Sequence, residues 1–172
     1  MAAARDELIE FGYREFRVER VAERASVHRS TLYRRWGTPA ALARAAIVTW
    51  EMATIPVMRE SGDWGSDVRT MCEAFRDSLQ APEAVALMRT LVVANAIDPE
   101  LRDVLLERWQ RPEMVEIIAR AQERGEVSPR VDPGSIVELI AAPFVLRAVV
   151  TMMPMDDAFV DLVAKHVMTS TV

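Results

Sequence analysis

Apolar residues recur at Val18, Val21, Ala22 and Ala25, the i, i+3, i+4, i+7 spacing that puts them on one face of a helix, until Ser26 and Val27 interrupt it. The same pattern predicts a helix before it over Ala2 to Phe11, with Leu8, Ile9 and Phe11 available for packing and Gly12 closing it. Another follows from about Arg29 to Trp36, ended by Gly37. Thr38 and Pro39 open a fourth as N-cap and N1 residue, and Ala41, Leu42, Ala45, Ala46 and Trp50 carry it towards Met52. Ile55 to Gly65, with Pro56, Gly62 and Gly65, reads as a loop. Helices are then predicted over Ser66 to Leu79 and Pro82 to Ala96, and from the Asp98-Pro99-Glu100 cap to Gln110. Pro112 kinks or restarts the chain into a run to Arg124, and Asp132-Pro133 opens a helix to about Val150 with Pro143 inside it. Asp156 caps the last helix, to about Met168. No alternating strand pattern, internal repeat or low-complexity segment occurs. The expectation is an all-α chain of about nine helices.

The two helices on either side of Ser26 and Val27 are joined by so short a turn that they read as a helix-turn-helix. At about 100° per residue, Leu32 and Trp36 share one sector of the second helix and face the core, while Ser30 and Arg34 occupy the far side. Thr31 and Tyr33 flank that ridge; Arg29 and Arg35 sit at its borders. Such a ridge is suited to a major groove, because Arg pairs bidentately with guanine, Ser and Thr bond bases or phosphates, and Tyr reaches phosphate. Arg17 and the Thr38 helix start are further candidates for phosphate contact. The plain alternative is a helical hairpin with a solvated basic face.

The two C-terminal helices carry apolar residues around most of their circumference. On the first, Ile136, Leu139, Leu146 and Val150 line one side and Val137, Ile140, Phe144 and Ala148 the other. On the last, Asp157, Asp161 and Lys165 form one narrow polar stripe against Phe159, Val160, Leu162, Val163, Ala164 and Val167. Helices of this kind need partners on two faces, which a two-fold homodimer supplies as a four-helix interface. Val137, Ile140, Phe144, Ala148, Phe159, Val160, Val163 and Val167 are the interface candidates. Packing of both faces inside one subunit is the alternative.

Charge sharpens this division. The chain carries a net −5, yet residues 1–47 hold nine Arg against six acidic groups, or +3, and the remainder 12 basic against 20 acidic, or −8. A basic head on an acidic body suits a nucleic-acid reader joined to another module. Cys72 is the only cysteine, which excludes an intrachain disulfide and fits a buried small hydrophobe. The charged opening MAAARDELIEF argues against export and for a cytoplasmic protein. Ile136 to Met155 is as long as a membrane span, but Glu138, Arg147 and two prolines lie inside it, each charge costing roughly 2.5 to 3.5 kcal/mol at mid-bilayer. No membrane partner is expected. His28 and His166 have no second ligand at helical spacing, and no Gly-rich phosphate loop or G-x-S-x-G elbow occurs, so neither metal, cofactor nor enzymatic chemistry is expected.

The run VAERASVHRSTLYRRWGTPAALARAAI, above all Thr31-Leu32-Tyr33 with the aromatic Trp36, resembles the DNA-binding domain of TetR-family transcriptional regulators, and the Gly12-Tyr13 pair belongs to the same likeness. Two departures stand out. Family members usually carry a longer basic lead-in before the first helix, and they tend to have Ser or Thr at the positions of Arg17 and His28. The resemblance implies a three-helix helix-turn-helix domain, residues 1–47, followed by an effector-binding and dimerising helical domain, residues 48–172. It implies a homodimer on a double-stranded palindromic operator, released by a small-molecule effector, with repression and activation both open. An effector pocket among the middle helices is also implied, with Met71, Phe75, Met88, Arg89, Leu91, Asn95, Trp109, Met114 and Ile117 as candidate lining. Flexible thioethers suit an adaptable cavity, though plain core is the alternative for each. A reading from another class is a dimeric helical adaptor whose head has lost DNA binding.

Overall fold

The computed structural model describes residues 1–54, 58–103 and 112–171, and over them the chain is all-helical. It divides into two compact units, one of Met1–Thr54 with Pro82–Leu105, the other of Ile55–Ala81 with Leu106–Val172.

The first unit contains α1 (Ala2–Phe11), α2 (Val18–Arg24), α3 (Arg29–Trp36), α4 (Pro39–Thr54) and α6 (Pro82–Ile97). Helix α1 packs on α2, α4 and α6, and α3 rests on α2 and α4. Their shared core is Leu8, Val18, Val21, Ala22, Leu32, Leu42, Ala46 and Ile47. Local chemistry sets the helix ends. Gly12 and Gly37 take φ of 74° and 75°, which a side chain would resist, and their N–H groups close the preceding turns on Leu8 and Tyr33 carbonyls. Thr38 accepts the Ala41 N–H at 3.1 Å, capping α4 ahead of Pro39. A polar tie inside this unit has no signature in the apolar pattern: the fully buried Glu7 accepts Arg20 Nε at 2.6 Å and the Arg17 N–H at 3.3 Å. One carboxylate thus binds α1 to α2 and satisfies a free donor at the α2 start, a task the Arg17 side chain does not perform.

The second unit contains α5 (Trp64–Ser78), α7 (Pro112–Glu123), α8 (Pro133–Leu146), continued by a π turn over Arg147–Thr151, and α9 (Asp157–Thr171). The expected loop to Gly65 ends earlier, because Asp63 accepts the Ser66 N–H at 2.8 Å and starts α5 at Trp64. Gly65 lies inside the first turn, where a Cβ would meet Met168 Sδ at 3.3 Å. Likewise α9 runs past Met168 to Thr171, whose hydroxyl receives the buried Trp64 indole at 3.2 Å. Helix α8 packs against α5, α7 and α9. Its stretch Pro133–Thr151 is long and apolar enough to cross a membrane by length and composition alone, yet Ile136, Val137, Ile140, Ala141 and Phe144 are each fully buried inside the unit. Cys72 is also buried, and desolvation pushes its thiol up to about 12, so it stays protonated and inert at neutral pH. The expected helix from Asp98 to Gln110 is described as far as residue 103, and the rest of it lies outside the described residues.

Candidate nucleic-acid interface

Helix α3 is short because its sequence fixes both ends. His28 takes extended geometry before it and its Nδ1 accepts the Ser30 N–H at 3.3 Å, with Ser30 Oγ 2.8 Å away. The imidazole therefore caps the helix at the position where the resemblance has Ser or Thr. Leu32 is the buried anchor of α3, and Trp36 is half-buried with the Arg35 guanidinium 4.8 Å over its ring. That contact holds one arginine along the helix end. Ser30, Thr31, Tyr33 and Arg34 stand exposed on the opposite side, with Arg29 and Arg35 beside them. Arg17 and Thr38, at the starts of α2 and α4, are exposed as well. The Arg17 guanidinium lies 3.7 Å from the Glu15 carboxylate, a surface pair that a phosphate can replace at little cost. The arrangement is a helix anchored by one leucine and presenting hydroxyls, a phenol and guanidinium groups outward, as major-groove readers do.

A different outcome holds for the C-terminal candidates. Val137, Ile140, Phe144 and Ala148 on α8, with Phe159, Val160, Val163 and Val167 on α9, are all buried within the subunit itself. They form its core, centred on an edge-to-face pair of Phe144 and Phe159 with centroids 5.3 Å apart. The apolar positions still open are on the other side: Leu139, Leu146 and Leu162 are 52%, 52% and 51% exposed, although Ile136 on that side of α8 is buried. Between α8 and α9 this side forms an open groove of about 390 Å³ lined by Leu139, Pro143, Leu162, His166 and Ser170, with the rims of Phe159, Val163 and Val167. The choice between two apolar sides depends on where α5 and α7 pack, and periodicity within α8 carries no record of that.

The effector candidates divide between the units. Met71, Phe75, Met114 and Ile117 belong to the second and are buried in it. Met88, Leu91, Asn95 and Arg89 belong to the first; Met88 and Leu91 are buried, Asn95 is half-buried and Arg89 is exposed. Asn95 Oδ1 is enclosed and accepts no hydrogen bond from the described residues. Trp109 lies outside the described residues. A polar groove of about 360 Å³ in the second unit, lined by Met58, Arg59, Glu60, Glu113, Glu116, Ile117 and Arg120, includes Ile117 alone of these candidates. No cluster of metal-binding side chains occurs among the described residues.

A helix-turn-helix with this exposed ridge, followed by a separate helical body, defines the class of DNA-binding transcriptional regulators, and comparison with known proteins makes it specific. Residues 1–46 match the family model for bacterial regulatory proteins of the tetR family, and residues 58–167 match the tetracyclin repressor-like C-terminal domain. The chain belongs to the TetR family of transcriptional regulators, a non-enzymatic family. It is 26% identical over 167 residues to the HTH-type transcriptional regulator YdeS of Bacillus subtilis, covering 95% of this chain and 83% of that one. It is 27% identical over 167 residues to the DNA-binding transcriptional repressor TetR of Mycobacteroides abscessus, covering 93% and 85%. The crystal structure of TylP, a TetR regulator from Streptomyces fradiae, superposes with a TM-score of 0.72 at 21% identity, covering 99% of this chain and 83% of that one.

Proposed function

We propose that the protein is a cytoplasmic repressor that binds a palindromic operator as a homodimer and leaves it when a small effector binds. Residues 1–47 are the DNA-binding part and residues 48–172 the effector-binding and dimerising part. The observation that carries this reading is the exposed ridge of Ser30, Thr31, Tyr33 and Arg34 on a helix anchored by Leu32 and capped by His28. Arg34 reads a base edge, while Tyr33, Arg17 and the Thr38 helix start bind phosphate. The relative in Mycobacteroides abscessus, a DNA-binding transcriptional repressor, supports repression. Dimerisation uses the open face of α8 and α9 rather than the side buried in the core. An effector acts by differential affinity: a ligand that favours a conformation with misplaced recognition helices weakens operator binding by roughly 1 to 3 kcal/mol, and operator weakens the ligand equally.

Selection from a random duplex pool tests the reading. A palindrome is expected, with half-sites centred about 34 to 36 Å apart, and with affinity falling by a log–log salt slope of about 0.9 per phosphate neutralised. Weak binding without sequence preference would instead identify a dimeric adaptor.

The ridge gives a finer expectation. Arg34→Ala is expected to cost about 1 to 3 kcal/mol and relax preference at one base position, whereas Tyr33→Phe weakens every sequence alike. Affinities of both variants for the selected duplex and its single-base variants decide it; an even loss across all sequences for Arg34→Ala would reassign that side chain to phosphate.

A further inference from the structure

Asp98 holds three separate parts of the first unit at one carboxylate. It follows the last residue of α6, 92% buried, and its backbone N–H closes that helix on the Ala94 carbonyl at 2.8 Å. Its Oδ1 accepts the Leu101 N–H at 3.1 Å, capping the helical turn at 99–103. Arg44, from α4, donates Nη1 to both oxygens at 3.2 and 3.0 Å, and its Nη2 forms an ion pair with Glu100 at 2.7 Å. Tyr13, just past α1, donates its hydroxyl to Oδ2. Burial and the Asp98 hydrogen bond both raise the phenol above its ordinary range, so the donor stays protonated at any working pH. Burial alone would raise the carboxyl, but the bonds from Tyr13, the Leu101 N–H and Arg44 outweigh it and hold Asp98 below its usual range, so it is ionised.

None of these groups lies on the α3 ridge, and none is needed to anchor α3. Their effect is directional. Apolar helix contacts tolerate small sliding, whereas a buried carboxylate shared by a guanidinium, a phenol and a backbone N–H fixes the angle of every element that meets it. A further polar bond, Thr90 Oγ1 to the Leu8 carbonyl at 3.2 Å, lies on the α1–α6 seam. The helix-turn-helix is thereby held on α6 and the turn after it, as well as being continuous with α4.

We propose that Asp98 is a positioning residue for operator binding: through Arg44 and Tyr13 it fixes the angle of the helix-turn-helix on α6, and docking of both heads of a dimer on a palindrome depends on that angle. This rests on the homodimeric operator reading. A head loosened from α6 still docks on one half-site, but loses the preorganisation that makes the second docking favourable.

The test uses the full-length protein and three duplexes: the palindrome selected by the wild type, the same duplex with one half-site scrambled, and one with about five base pairs, roughly half a turn, inserted between half-sites. For Asp98→Ala, affinity for the single half-site is expected to stay within about twofold of wild type. Affinity for the palindrome falls about tenfold, and the penalty for the insertion shrinks. Tyr13→Phe, which leaves the Arg44 pair in place, shifts the palindrome-to-half-site ratio the same way by about threefold, and it carries the test if Asp98→Ala does not fold. Unchanged ratios, or parallel losses on both duplexes, would overturn the positioning role while leaving the operator reading intact. A wild type that binds palindrome and half-site equally would overturn the operator reading and this inference with it.

Discussion

Arginine at both Leu139 and Leu162 is expected to turn the proposed dimer into a monomer and to abolish binding to the proposed palindromic operator. Each leucine is about half exposed in the isolated subunit, and both line the groove between α8 and α9. In a two-fold interface every residue occurs twice, so the double variant brings four guanidinium groups into a surface that is otherwise apolar. Asp161, next to Leu162 in the chain, is already paired with Arg69, and Asp157 with Arg76. A charge left unpaired in a desolvated interface costs several kcal/mol, so the dimer dissociation constant should rise at least about a thousandfold, or about 4 kcal/mol. Sedimentation velocity on the wild type and the variant reads the change, and circular dichroism establishes that helix content is kept. A double variant that still sediments as a dimer would remove this face from the interface. The same substitution at Val137 or Ile140 is expected to unfold the body, since both side chains are fully enclosed.

That contrast also marks what the sequence made legible. Helix positions followed from apolar spacing and from caps whose partners lie within four residues, Thr38 with Ala41, Asp132 with Ser135 and Asp156 with Phe159, whereas the Asp63 cap lay inside a stretch that its glycines and proline made look like loop. The α3 ridge was legible for the same reason, because Leu32 and Trp36 share one sector of so short a helix and everything opposite them must face outward. Partners far along the chain left no such trace. Glu7 looks like any acidic residue of a surface helix until Arg20 is seen against it, and Asp98 reads as a helix cap until Tyr13 and Arg44, 85 and 54 residues away, are placed on its other lone pairs. Gly65 read as loop because glycine is a poor helix former, yet the absence of its side chain is what admits Met168. The two sides of α8 are equally apolar in sequence, and only the packing of α5, α7 and α9 decides which one becomes core.

Phe144→Ala is expected to lower the unfolding free energy by about 3 to 5 kcal/mol, the cost of removing a large ring from a site that cannot collapse. Phe144 is fully buried on α8, and its ring meets Phe159 edge to face at an interplanar angle of 69°. The Arg147 guanidinium lies 3.4 Å over the Phe159 ring centroid, and Arg147 also donates to the Pro154 carbonyl. A cavity at residue 144 therefore loosens an aromatic contact and the turn between α8 and α9 together. Leu139→Ala, on the open side of the same helix, removes an apolar group that is half exposed in the subunit and covered in the proposed dimer. Urea unfolding followed by circular dichroism at two protein concentrations separates the two effects. The Phe144→Ala loss should be the same at both concentrations, because it belongs to the subunit core. The Leu139→Ala loss should instead act through the concentration-dependent term, since it alters association rather than the core. A Phe144→Ala loss below about 1 kcal/mol would mean that the ring is not packed as described, because even a partly collapsed core site loses more than that.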